Sequence, residues 1–155
     1  IDLLKENDFI FLLSLLVIDE NDNLDYFLYK FNISKQNQKR MKIIDNFYKE
    51  KITVKTFSEK NMNKVLYYHG KQAVLDILHF KIVRSKKIDR TLIELSQIYQ
   101  RKTIPSMPIS ADLLMKKYNI PEGKQLGEKL KTIEQIWVKN DFKISDQQVD
   151  NIINN

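Results

Sequence analysis

The chain has 155 residues, 43% of them hydrophobic and 30% charged, with a formal net charge of +6 and no cysteine. That length suits one domain, or two small helical ones, with a sizeable buried interior. Disulfide frameworks and thiolate-held zinc or iron–sulfur centres are excluded, and a reducing, cytoplasmic setting fits.

The charge is unevenly spread. Residues 1–29 hold one Lys against seven acids, residues 30–64 ten bases against three acids, and residues 65–102 eight against three, whereas 103–155 balance at seven each. A basic middle beside an acidic start is the footprint of a polyanion binder. The apolar run Phe9 to Ile18 reaches only half of the roughly 20 residues that span a bilayer, and acids flank it, so it reads as core and no membrane is expected. The chain starts with Ile1 instead of methionine, which suggests a piece of a longer protein.

Apolar residues recur at spacings of three and four almost throughout, no proline precedes Pro105, and no hairpin turn signal appears. The pattern predicts an all-α irregular bundle of about seven to eight helices without a sheet. A first helix is expected from about Asp2 to Val17, followed by a polar turn at 19–23 and a short helix LDYFLYKF. Ser34 suits the N-cap of a helix with Met41, Ile44, Phe47 and Tyr48 on one face. Ser58 suits the cap of a helix bearing Met62, Val65 and Leu66 that Gly70 ends or kinks. Helices at roughly 71–84 and 88–101 follow, then a proline-punctuated loop from Ile104 to Pro108. Ser110 caps ADLLMKK, and Pro121 fits the first turn of the next helix. Gly123 and Gly127, four apart, are expected to admit another backbone. Leu126, Leu130, Ile133, Ile136 and Trp137 make an apolar stripe, and SDQQ at 145–148 fits a capping box. Two regions result, a helical body over 1–102 and a helical closure over 103–155 packed on it.

Catalytic and metal motifs fail on inspection. Asp19, Asn21 and Asn23 match the first positions of a calcium loop, but Leu24 and Lys30 stand where that loop needs glycine and a bidentate glutamate. His69 and His79 lack carboxylates at ligand spacing. No phosphate-cradling glycine loop or nucleophile elbow is present. No catalytic residue and no metal ligand is therefore assigned. The bases are more informative: Lys35, Lys39, Arg40 and Lys42 gather near one helix face beside Gln36 and Gln38. Arg84, Lys86, Lys87 and Arg90 make a second cluster, and Arg101 and Lys102 a third. Such groups contact phosphate regardless of base sequence. Backbone N–H groups at the helix start near Gly123 and Lys124 are a further phosphate candidate.

Five stretches in order, FNISKQNQKRM, LYYHGKQAVLDIL, PISADLL, NIPEGKQLGEKL and EQIWVKNDF, carry a family resemblance. They resemble the C-terminal body and tail of bacterial class II tRNA nucleotidyltransferases, the CCA-adding enzymes, and their poly(A) polymerase relatives. Ser110-Ala111-Asp112 stands where the family usually has a glycine before Asp-Leu. The family's catalytic head has a Gly-Ser loop and an Asp-x-Asp pair, and its neck a Glu-Asp-x-x-Arg motif; none of these occurs here. The resemblance implies that a head outside this chain, in cis or in trans, binds CTP or ATP with magnesium, and that this chain holds the acceptor and T arm of tRNA without a cofactor of its own. The alternative is a helical protein–protein module whose basic face meets an acidic partner. Since two-metal nucleotidyl transfer needs positioned carboxylates, the purified 155-residue chain should incorporate no nucleotide from CTP or ATP into tRNA with any divalent metal. Metal-dependent extension in a radiolabel assay free of other nucleotidyltransferases would contradict this.

Overall fold

The computed structural model describes residues 8–19, 21–50 and 54–154. Among them are eight α-helices and no strand: α1 (Phe9–Val17), α2 (Asn23–Lys30), α3 (Lys35–Lys49), α4 (Glu59–Arg84), α5 (Arg90–Arg101), α6 (Ala111–Tyr118), α7 (Lys124–Lys139) and α8 (Asp146–Asn154). A 3-10 turn, Val54–Phe57, leads into α4. The expected start of the first helix, from Asp2, lies outside the described residues. None of the described helices is long and apolar enough to cross a membrane.

The chain divides into two compact units, Ile1–Ile104 and Pro105–Asn155. In the first, Phe11 and Ile18 of the α1 segment meet Leu24 and Leu28 of α2, Met41 and Ile44 of α3, and Phe80 of α4. A second cluster joins Met62, Leu66, Val74 and Leu78 of α4 to Leu92 and Tyr99 of α5. Each fully buried side chain of this size contributes about 1.5–3 kcal/mol relative to exposure. Tyr99 keeps its hydroxyl satisfied inside this core by donating to the Asn63 Oδ1 at 2.7 Å, with the Glu59 carbonyl also within reach at 3.1 Å. Local capping sets the helix starts. Asp8 accepts from the Phe11 amide at 3.1 Å, Ser34 from Asn37 at 3.4 Å, and Asp89 from Thr91 at 3.0 Å. Ser58 occupies the N-cap of α4 without a side-chain capping bond.

Gly70 interrupts α4 with φ 82° and ψ 176°, a conformation that a residue bearing Cβ adopts only under strain. The break lets the two halves of α4 follow different directions, and both contribute to the cluster against α5, Met62 and Leu66 from before it and Val74 and Leu78 from after it.

An ion pair joins three elements of this unit. Asp76, fully buried on α4, receives Arg40 of α3 through Nε at 2.6 Å and Nη2 at 2.8 Å, and Gln72 Nε2 at 2.9 Å. The remaining guanidinium nitrogen, Nη1, binds the Asp8 carboxylate at the start of α1. Arg40 therefore does not share the outer face with Lys35, Lys39 and Lys42. One residue advances a helix by about 100°, so the residue beside Lys39 is rotated from the lysine stripe toward the core. The hydrogen bond to Asp76, the largest influence, raises the Arg40 guanidinium further above its ordinary range and outweighs the burial that opposes it. For Asp8, burial pulls the carboxyl up, but the bonds from Arg40 and the Phe11 amide prevail and hold it below its ordinary 3.8. A depressed carboxylate stabilises the fold above its unfolded value, so the Asp8 contribution is present at neutral pH and is lost as pH falls through the folded value.

The second unit has its own core of Leu114, Ile120, Leu126, Ile133 and Val149. Ser110 caps α6 by accepting from Leu113 at 3.2 Å, and Asn119 ends it in the left-handed region at φ 53°. Pro121 is not in the first turn of α7 as the sequence suggests. Gly123, at φ 149°, breaks helical geometry between Pro121 and Lys124, and α7 starts only after it. Nor do Gly123 and Gly127 admit a neighbouring backbone, because a Cβ at either position meets nothing within 4 Å. The capping box on α8 forms, with Ser145 N donating to Gln148 Oε1 at 3.0 Å and Gln148 N donating back to Ser145 Oγ at 3.3 Å. Lys129 donates to the Ile152 and Ile153 carbonyls at 3.1 and 2.9 Å, placing a cation at the negative end of α8.

At the end of α7, Asp141 and Phe142 both adopt positive φ, 58° and 62°. A bulky residue in this region costs on the order of 1–2 kcal/mol. The turn persists because the Phe142 amide donates to the Trp137 carbonyl at 2.8 Å and its ring meets the Trp137 indole edge to face, centroids 4.9 Å apart.

Two stability outcomes follow. Asp76→Ala leaves Arg40 half-buried without its main partner and should cost about 3–5 kcal/mol in urea unfolding, whereas Arg40→Met with Asp76→Leu should lie much closer to the parent. Trp137 is 3% exposed, so Trp137→Ala should lower stability by roughly 3–5 kcal/mol; an unchanged denaturant midpoint would show that the indole is no anchor.

Candidate nucleic-acid interface

The eleven basic residues singled out from the sequence separate by what their charged ends touch. Three are turned to the fold. Arg40 holds Asp76, as above. Arg84 Nη2 donates to the carbonyls of Leu15, at 3.1 Å, and Ile18, and its guanidinium lies 4.5 Å from the Phe80 ring centroid. It thus caps the C-terminal end of α1. Lys102 binds the Glu59 carboxylate and sits 5.0 Å from the Tyr99 ring centroid, closing α5 onto the start of α4.

Two more are paired at the surface. Lys42 meets Asp25 of α2 at 3.4 Å, and Lys124 meets Glu128 at 3.7 Å within α7. Exposed pairs of this kind contribute little and leave both charges accessible. The α7 start has no side-chain cap beyond Gly123.

The remaining six, Lys35, Lys39, Lys86, Lys87, Arg90 and Arg101, are exposed, and no ion pair among the described residues engages them. Lys35, Lys39 and Lys42 lie at i, i+4 and i+7 on the outer face of α3, whose Ser34 cap and inward Met41, Ile44 and Asp45 set its rotation. Lys86, Lys87 and Arg90 surround the turn between α4 and α5, where with Lys81 and Arg84 they border an open depression of about 670 Å³. Arg101 borders an open depression with Glu94, Gln97, Ile98 and Gln100. The turn at 19–23 is held by the Asp19 carboxylate, which accepts from the Asn21 amide at 3.2 Å and from the Asn23 side chain. Among the described residues no three His, Asp or Glu side chains converge to hold a metal ion.

A further group escaped the sequence reasoning. A concavity of about 390 Å³ opens between α3 and the first half of α4, lined by Asn46, Glu50, Lys64, Tyr68 and His69 over an apolar floor of Phe47 and Val65. Tyr68 is 53% exposed although aromatic. Burial first, and the Lys39 charge second, push the His69 imidazole below its ordinary value. His79, by contrast, is core, edge-on to Phe11 with centroids 6.2 Å apart. The only hint in the sequence was the adjacency of Tyr67, Tyr68 and His69 before a glycine.

No curated protein and no solved structure matches the chain. A family match is found over residues 2–150, to tRNA nucleotidyltransferase domain 2. It extends over both compact units and every stretch that carried the resemblance. The basic helices described above therefore sit in a chain that belongs to the tRNA nucleotidyltransferase domain 2 family.

Proposed function

We propose that this chain is the RNA-holding part of a tRNA nucleotidyltransferase, gripping the acceptor and T arm while a head domain adds CCA or A to the 3′ end. Family membership supplies the link to tRNA and to the enzyme. The observation that carries the holding role is on α3. Lys42 and Lys49 are paired with Asp25 and Asp22 of the neighbouring acidic segment, yet Lys35 and Lys39 stand exposed on the same helix with no acid beside them among the described residues. A positive stripe is thus kept open where acids are close at hand.

Such a stripe suits folded RNA. The deep, narrow major groove of an A-form helix excludes side chains, so a protein holds the duplex by phosphates and sugars without reading its sequence. Lysines on one helix face, one and two turns apart, can follow a phosphate row as point charges. Lys86, Lys87 and Arg90 offer a second set of contacts. On this reading the chain's part is to bind and orient the RNA, and the head supplies the chemistry.

The test is the salt dependence of tRNA binding. Each phosphate contact on a duplex releases condensed counterions, so Lys35→Gln and Lys39→Gln should each reduce the slope of log affinity against log salt by about 0.9 and weaken all tRNAs alike. Arg40 is left unchanged, since its loss would report on folding. Unaltered affinity and slope in the folded double variant, and again in Lys86→Gln/Lys87→Gln/Arg90→Gln, would overturn the RNA-holding reading in favour of an acidic protein partner.

A further inference from the structure

Gripping a duplex backbone needs no cavity, yet the concavity between α3 and α4 is built from two converging stripes. On α3, Lys39, Ile43 and Asn46 recur at i, i+4 and i+7, and the last two line the concavity with Glu50, the C-cap residue just past the helix. On α4, Asn61, Lys64, Val65, Tyr68 and His69 recur at i, i+3, i+4, i+7 and i+8 and line its other wall. The stripes bring together an aromatic face, an amide, a carboxylate and cations.

Resting on the RNA-holding reading, we propose that this concavity receives one unstacked nucleotide from a single-stranded segment of the bound RNA, with Tyr68 as the stacking surface. The volume of about 390 Å³ falls at the lower end of small-ligand pockets, roughly 300–1,000 Å³, which suits one base with its sugar. Tyr68 is half exposed beside it and held edge-on against Tyr67, centroids 5.1 Å apart. A solvent-facing tyrosine held in this way is the element that single-strand binders use to stack a base. Asn46 can donate to and accept from a base edge, and Glu50 can accept from an exocyclic amine. Lys64 lines the wall and Lys39 continues the α3 stripe one turn away, so a phosphodiester on either side of the base meets a cation.

The occupant is a nucleotide within a chain and not a free triphosphate. Among the described residues that line it Lys64 is the one lysine or arginine, and no metal-holding cluster exists among the described residues. A triphosphate needs more positive charge than that, whereas a phosphodiester carries one negative charge.

The experiment compares the full chain with Tyr68→Ala, Tyr68→Phe, Asn46→Leu and the Lys35→Gln/Lys39→Gln pair. Fluorescence anisotropy would measure binding to a labelled single-stranded hexaribonucleotide containing A and C, and to a fully paired RNA hairpin. Tyr68→Ala should weaken hexanucleotide binding about 5- to 150-fold, the range that losing one base stack implies. Tyr68→Phe should stay within about twofold because the ring is kept. Asn46→Leu should also weaken the hexanucleotide, and hairpin affinity and salt slope should not move for either Tyr68 variant. Unchanged hexanucleotide binding by folded Tyr68→Ala and Asn46→Leu would overturn the pocket. If the lysine pair still weakened the hairpin, the RNA-holding reading would survive that loss; if neither set had an effect, both would fall. Should free CMP or AMP displace the hexanucleotide at equal concentration of bound groups, the site would be one for free nucleotides and the proposal would be overturned.

Discussion

The first unit turns on the buried pair between Arg40 and Asp76. A carboxylate with no solvent exposure is tolerable only with a cation and hydrogen bonds around it. Here it has both guanidinium contacts and the amide of Gln72. Because Arg40 also reaches Asp8, the pair couples the start of α1, the middle of α3 and the part of α4 beyond its kink. With Arg40 turned inward beside Met41, Ile44 and Asp45, the rotation of α3 is determined. Lys35, Lys39 and Lys42 must then face outward, and Asn46 and Glu50 must border the concavity against α4. The surface proposed to hold RNA is in this sense the reverse side of a face buried by an ion pair and by Met41 and Ile44.

The chain uses one residue class for two purposes, and the division follows from geometry. Arg84 and Lys129 end at the carbonyl termini of α1 and α8, where unsatisfied acceptors and the helix dipole favour a cation. Arg40 and Lys102 end on carboxylates from other helices. What they contribute is connectivity between elements, and substituting them tests folding. The exposed set has no such partner among the described residues, and its charge is left for solvent or for a polyanion. Binding experiments that mix the two sets would confuse loss of structure with loss of contact.

The second unit shows another kind of constraint. Its turn after α7 holds Phe142 in a left-handed conformation that glycine would adopt at less cost, and the return is an aromatic contact with Trp137. The glycines that are present sit elsewhere: Gly123 opens α7, and Gly127 lies on its exposed face. Local strain in this unit is therefore balanced by side-chain packing in the EQIWVKNDF stretch rather than by backbone permissiveness.

Much of this was legible from residue order alone, because helix periodicity, N-caps and breakers act over a few residues. The all-α class, the Ser34, Ser110 and Ser145 starts, the Gly70 break and the core faces of α3 and α7 are all local in origin. Family membership was legible too, since short motifs in order survive without knowledge of the fold. The start of α7 was misjudged because Pro121 and Gly123 both signal a helix boundary, and only the backbone geometry shows which prevails. The destination of the bases could not be read at all. Arg40 and Lys39 are adjacent in sequence and chemically alike, and what separates them is Asp76, thirty-six residues away from Arg40. The concavity likewise joins two stripes that no spacing rule connects. Residue order sets the faces of each helix; which faces meet, and therefore which charges remain free, is a property of long-range packing.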